Sequence, residues 1–177
     1  MGDSFFSYIQ KLEIIAIFSG YPLVYAIVVV LSGYIKRATR FKYTVTSMLP
    51  FSYALTGVLF LGLQLRKLYP DYSVNNINTE IQNPFLTIWG ILAIVFFLPF
   101  LRKRIVLSLL HSLVFFFLVI KDILLYLISS NTDQYAVRNA MNVYSNSLIL
   151  NLAILVFVLL AISIFRFFKK RSANTFR

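Results

Sequence analysis

The residues best suited to chemistry in this chain share one face of a single apolar stretch, residues 105–128. At steps of three, four or seven positions, that face carries Arg104, Ser108, His111, Ser112, Phe115, Val119 and Asp122. His111 is the only histidine of the protein. An imidazole exchanges protons near neutral pH, and an ionisable group at membrane depth is costly, so this polar face is typical of a proton relay or an ion path.

The same polar face has a structural interpretation, in which its side chains join neighbouring helices. Phe115 and Val119 interrupt it, and no further histidine or carboxylate at membrane depth is available to pair with His111. We therefore favour hydrogen bonds from Ser108, His111 and Ser112 to other helices. The charged residues at the two ends of the face would then anchor the helix at the membrane interfaces.

The last apolar stretch carries a weaker polar face, formed by Tyr144, Ser147 and Asn151. Asn151 is the most polar residue within that stretch. Because an amide in lipid is stabilised by a partner, we expect Asn151 to hydrogen-bond a neighbouring helix. The helix that carries His111 is a candidate for that partner.

The chain lacks the residue sets that most enzymes and metal sites need. It has no cysteine, which excludes disulfides, thiolate metal sites and cysteine nucleophiles. Paired intramembrane aspartates, a Gly-x-Ser-x-Gly serine and a His-Glu-x-x-His pair are also missing. Arg104 and His111 resemble the Arg and His of the HEPN ribonuclease motif in their spacing, but RNA cannot reach a membrane helix. We expect no enzyme, cofactor or metal, and rank an intramembrane enzyme with His111 as base last.

The composition indicates an integral membrane protein. Of the 177 residues, 59% are hydrophobic and only 13% are charged, and the mean hydropathy is +0.80. The net charge of +11 comes from basic residues at the ends of apolar stretches. That placement favours membrane topology over nucleic-acid binding, so we expect lipid partners and no nucleic acid.

The hydropathy pattern predicts an all-α, polytopic helical bundle in one membrane domain, residues 1–177. The five predicted transmembrane helices cover about 14–35, 44–65, 84–101, 105–128 and 147–165. An interfacial segment, 1–13, precedes them, and a basic tail, 166–177, follows. We expect a kink near Ser19–Pro22, with the freed backbone groups bound by the Ser19 hydroxyl or by another helix. A surface helix is expected over 134–144.

The charges predict the orientation of these five spans. Segments 36–42, 102–104 and 166–177 would share one side and hold twelve of the 17 Lys and Arg residues, while all six acids lie with the other five. The positive-inside rule then places the amino terminus outside and the carboxy terminus in the cytoplasm. Candidate contacts for anionic lipid are Lys36, Arg37, Arg40, Lys42, Arg102, Lys103, Arg104, Arg166, Lys169, Lys170 and Arg171.

Two classes of function fit this pattern. The first is a non-enzymatic accessory or scaffold subunit of a larger membrane complex, because the chain is small, aromatic and poor in catalytic groups. The second is a small oligomeric transporter or channel that uses the polar face of the fourth span. Either would associate with other membrane subunits or with itself. The high usage of Asn, Ile, Lys, Phe and Tyr favours the inner membrane of an AT-rich bacterium.

Overall fold

The computed structural model describes residues 14–34, 39–70, 72, 83–128 and 134–175, and all regular structure in these ranges is helical. Within them, four helices are long and apolar enough to cross a membrane: Ile14–Gly33, Tyr43–Leu68, Ile105–Leu125 and Met141–Phe168. The prediction of an all-α membrane protein is therefore confirmed. The predicted interfacial segment 1–13 lies outside the described residues.

The first membrane helix is broken where the sequence predicts a kink. It is helical over 14–18, turns at Ser19 and Gly20, and continues as α1, Tyr21–Tyr34. Pro22 has no backbone N–H and crowds the preceding turn, so a regular helix cannot run through this point. The break leaves backbone groups at membrane depth that need partners from elsewhere in the bundle.

The second helix, α2, is longer than predicted and covers Thr39–Leu68. Its last turn carries Arg66 and Lys67, which interact favourably with the negative end of the helix dipole. The hydropathy pattern excludes these charged ends from the predicted span, although they are helical in the structure. The predicted boundaries of 44–65 therefore mark only the apolar part of the helix.

The predicted third span, 84–101, consists of three short pieces instead of one helix. They are α3, Pro84–Leu92, a 3-10 helix, Ala93–Phe97, and α4, Pro99–Arg102. The residue before a proline avoids the helical region, and Leu98 accordingly has ψ of 132° between the last two pieces. The apolar helical part, Pro84–Phe97, is shorter than the roughly 20 residues that a regular helix needs to span the hydrocarbon core.

This third segment packs antiparallel against α2. The close approach at Gly57 shows why a small residue is needed there, because a Cβ on Gly57 would lie 2.9 Å from Ala93 Cβ. Along the two segments the contacts advance in opposite directions through four pairs: Gly57 with Ala93, Tyr53 with Phe96, Phe51 with Phe97, and Met48 with Arg102. The chain therefore returns along α2 despite its broken helix.

Two long helices complete the described part of the chain. The fourth predicted span is α5, Ile105–Ile128, and the rest is α6, Gln134–Thr175. The predicted surface helix, 134–144, and the predicted fifth span, 147–165, are thus parts of one 42-residue helix. No Gly or Pro interrupts this segment. At 1.5 Å per residue it is about 63 Å long, roughly twice the thickness of the hydrocarbon core.

An aromatic cluster fills the centre of the bundle. Phe18 is fully buried, and its ring centroid lies 4.7 Å from that of Phe115, 5.3 Å from that of Phe60 and 5.7 Å from that of Tyr53. These residues come from the first helix, α2 and α5. Their edge-to-face and offset arrangements are those that aromatic quadrupoles prefer. The cluster joins the three helices at the same depth in the bundle, and two of its rings, Tyr53 and Phe115, also lie against His111.

Candidate functional site

His111 lies on α5 inside a cage of aromatic rings. The indole of Trp89 stacks on the imidazole, with ring centroids 4.7 Å apart and planes inclined by 4°. Tyr53 and Phe96 approach edge-on at 5.6 and 5.7 Å. Trp89 also donates a hydrogen bond from Nε1 to the backbone oxygen of His111, at 3.2 Å. The cage joins α2, the third segment and α5 around one imidazole.

One nitrogen of this imidazole is hydrogen-bonded and the other is not. His111 Nδ1 lies 2.7 Å from the hydroxyl of Tyr53, which is itself fully buried. Nε2 is also buried, and it has no hydrogen-bond partner among the residues that the structure describes. A neutral imidazole has one donor and one acceptor nitrogen, so the bond to Tyr53 uses one of them and leaves Nε2 without a hydrogen bond among the described residues.

The two serines of the predicted polar face are buried within the bundle. Ser108 donates to the carbonyl of Ile105 at 2.8 Å, and its Oγ accepts from the hydroxyl of Tyr21, also at 2.8 Å. Ser112 donates to the carbonyl of Leu109. Both serines are fully buried, and their hydroxyl protons bind their own helix. Ser108 thus links α5 to α1, while the hydrogen bond of Ser112 stays within α5.

A second polar centre lies where α6 crosses the break in the first helix. The N–H of Gly20 donates to Ser147 Oγ at 2.8 Å, and the carbonyl of Ile17 accepts from Asn151 Nδ2 at 2.8 Å. Ser147 and Asn151 are one helical turn apart and therefore share a face of α6. Together they bind one donor and one acceptor that the break exposes. We refer to these four residues as the break cap.

Both N–H groups of the Asn151 amide donate hydrogen bonds in the break cap. Its second N–H binds the carbonyl of Ser147 at 2.8 Å. Its Oδ1 lies 3.4 Å from the hydroxyl of Thr56 on α2, which is also 3.1 Å from the carbonyl of Ser52. Asn151 is 2% exposed, so these bonds take the place of water. Its partners are the first helix and α2 rather than the helix that carries His111.

The sequence pattern did not identify every member of these centres. The four polar candidates, Ser108, His111, Ser112 and Asn151, fall into two groups, with Asn151 near the break and the others on α5. Pattern reasoning missed Trp89 and Gly20 as partners, and it did not pair Tyr53 with His111. Gly20 had a detectable signal, since a glycine two positions before a membrane proline marks a place where another backbone can approach. The aromatic partners had none, because rings are common throughout this chain.

The candidate lipid contacts differ in what their side chains touch. Arg102 turns back onto α2: its Nη2 lies 3.1 Å from Met48 Sδ, and its guanidinium lies 5.0 Å from the ring centroid of Phe51. Lys103, Arg104 and Arg166 are exposed. The side chains of the remaining candidates lie outside the described part: Lys36, Arg37, Arg40, Lys42, Lys169, Lys170 and Arg171.

Three polar side chains of the site, Ser108, Ser147 and Asn151, hydrogen-bond groups of another helix. In the described ranges, no group of three His, Asp or Glu residues is placed to hold a metal ion. Comparison with protein-family models, curated proteins and solved structures finds no match to this chain. Interpretation of the site therefore rests on its geometry. That geometry is two buried polar centres, each of which joins segments far apart in the sequence.

Proposed function

We propose that this protein is a non-enzymatic accessory or scaffold subunit of a larger membrane complex. The observation that carries the proposal is the use of the polar side chains at the centre of the bundle. Ser108, Ser147 and Asn151 all bind protein groups of another helix. Such contacts stabilise the arrangement of helices, as a scaffold requires.

The outer faces of α5 and α6 support the same proposal. Within their membrane-spanning windows, only 22% of the residues of each helix are buried, against 56% for the first helix and 50% for α2. The uncovered face of α6 includes the large apolar residues Ile149, Leu152, Val156, Phe157, Leu160, Ile164 and Phe165. Faces of this size are available to the helices of a partner, and α6 offers the longest one.

The fine topology is part of the proposal: five crossings, with the amino terminus outside and the carboxy terminus in the cytoplasm of a bacterial inner membrane. The antiparallel contacts of the third segment support a third crossing. Arg102 contacts Met48 in the first third of α2, the part of that helix nearest in sequence to the basic residues 36–42. The basic turn 102–104 would then lie on the same side as the basic segment 36–42, as the positive-inside rule requires.

Single-cysteine labelling tests this topology cleanly, because the chain contains no cysteine of its own. We expect a membrane-impermeant maleimide to label Tyr72→Cys in intact cells or right-side-out vesicles. Lys103→Cys and Arg166→Cys should react only after permeabilisation. All three positions are exposed. Labelling of Lys103→Cys from the outside, together with Tyr72→Cys, would show that the third segment does not cross.

A transporter or channel is the second candidate function, and one observation favours it. Nε2 of His111 is buried with no partner in the part of the chain that the structure describes, so one nitrogen of the imidazole is left available to a transported ion or proton. Such a role requires His111 itself, whereas a scaffold requires only the packing around it.

Native purification tests the subunit proposal and the second candidate together. The tagged protein is extracted from its own membranes into lipid nanodiscs, with a photo-crosslinker at Phe157, and the control places it at the neighbouring Val158. Phe157 is 63% exposed, and Val158 is 2% exposed. We expect one partner chain at constant stoichiometry, crosslinked from Phe157 only, and retained by His111→Leu. If the protein purifies without a partner chain and forms no crosslinks, the subunit proposal is overturned. If the His111→Leu variant still assembles but loses ion flux, the transporter is favoured.

A further inference from the structure

A groove of about 580 Å³ lies at the elbow between the third segment and α5. Its apolar walls are Phe100, Val106 and Leu107, and its polar edge is formed by Lys103 and Arg104. Phe100 is 72% exposed and Val106 is 57% exposed. The groove therefore combines two cations with uncovered apolar surface, at the point where a membrane helix begins.

Three consecutive cations at this elbow have different surroundings. Arg102 is held against α2 by its contacts with Met48 and Phe51. Lys103 and Arg104 are exposed, and no described residue forms an ion pair with them. Asp122, the one acid within the described ranges, lies 18 residues further along α5, about 27 Å away at helical rise. The two groove cations thus have their charge uncompensated by the described part of the protein.

We propose that this groove binds one anionic diacyl phospholipid, with its phosphate between Lys103 and Arg104 and an acyl chain along Phe100, Val106 and Leu107. Charge complementarity selects the headgroup, since ammonium and guanidinium groups donate strong hydrogen bonds to phosphate oxygens. The apolar walls select the chains, because they continue along α5 into the hydrocarbon region. The positive end of the α5 dipole lies at the same end, where it favours an anion. Of the four nominated cations whose side chains the structure describes, only Lys103 and Arg104 line this groove.

The test measures binding of phosphatidylglycerol by native mass spectrometry of the full-length protein released from detergent. Phosphatidylcholine, glycerol phosphate and inorganic phosphate are the comparison ligands. The groove variant is Lys103→Gln/Arg104→Gln. Its matched control is Arg66→Gln/Arg138→Gln, which removes two exposed cations elsewhere on the described surface. A third variant, Phe100→Ser, alters the apolar wall alone, and the emission of Trp89 reports whether each variant is folded.

We expect the wild type and the control variant to retain one phosphatidylglycerol, and the groove variant to bind it about tenfold more weakly. Phe100→Ser should weaken the binding of phosphatidylglycerol and leave the binding of inorganic phosphate unchanged. Equal loss in the groove and control variants would overturn the proposal, since it would show a general charge effect. Equal retention of phosphatidylcholine would overturn it too. Displacement by inorganic phosphate or glycerol phosphate at the same concentration would show a simple anion site instead of a lipid site.

Discussion

Gly20→Ala is expected to destabilise the protein by about 3 kcal/mol, the upper part of the range for overpacking a tight contact. A Cβ on Gly20 would overlap Leu148 N and lie 2.5 Å from Leu148 Cα. These are backbone atoms of α6, which cannot rotate away as the end of a side chain can. The two helices must therefore separate, which also lengthens the hydrogen bond from Gly20 to Ser147.

The measurement is unfolding of the purified protein in a denaturing detergent, followed by the emission of Trp89. Trp89 is the only tryptophan and stacks on His111, so its signal reports the bundle centre. Gly33→Ala and Gly62→Ala are matched controls, because a Cβ at either position meets no described atom within 4 Å. Both should be neutral or slightly stabilising, since Ala is the better helix former. If Gly20→Ala is as stable as these control variants, α6 does not cross close to Gly20.

Asn151→Leu is expected to destabilise the protein by about 1–2 kcal/mol, the larger end of the range for a hydrogen bond between membrane helices. Leucine has a similar volume but cannot donate to the carbonyl of Ile17, which is 2.8 Å from the Asn151 amide. That carbonyl lies at the break, where the regular helical pattern ends, so its desolvation is left uncompensated. The hydroxyl of Thr56 loses a neighbour as well.

The same detergent unfolding measures this effect, with Ser163→Ala as the control on α6. Ser163 is exposed and bonds only to Leu159 within its own helix, so its loss should change stability by about 0.5 kcal/mol or less. The double variant Gly20→Ala/Asn151→Leu should cost less than the sum of its two single changes. Both residues act on the same crossing, and neighbouring contacts are not additive. Full additivity would mean that Asn151 acts elsewhere.

The break cap explains how a membrane bundle tolerates a proline near the middle of its first helix. Ser19 Oγ is buried with no partner among the described residues, so the nearest hydroxyl does not bind the freed groups. Two polar side chains of α6, more than 120 positions away, bind them instead. The break thereby becomes the feature that locates α6 on the bundle.

The chain's sequence by itself determined the properties that depend on local composition. Hydropathy identified the helical membrane segments, Pro22 located the break, and Pro99 carried the signal for the interrupted third segment, although the prediction was one continuous span. Local chemistry controls these features, because backbone donors and apolar length act within a few residues. The charge pattern likewise predicts an orientation, which labelling will test.

Only the tertiary structure decided which side chains meet. Asn151 pairs with Ile17, and His111 with Tyr53 and Trp89, across separations of 134, 58 and 22 positions. No periodicity selects such partners, because every helix in a lipid-facing bundle is apolar on most sides and several faces could serve as the interface. Shape decides between them: Gly20 allows α6 to approach the break, and the aromatic cluster fixes the level of His111. The residues that look catalytic in the sequence are thus the ones that packing placed between helices.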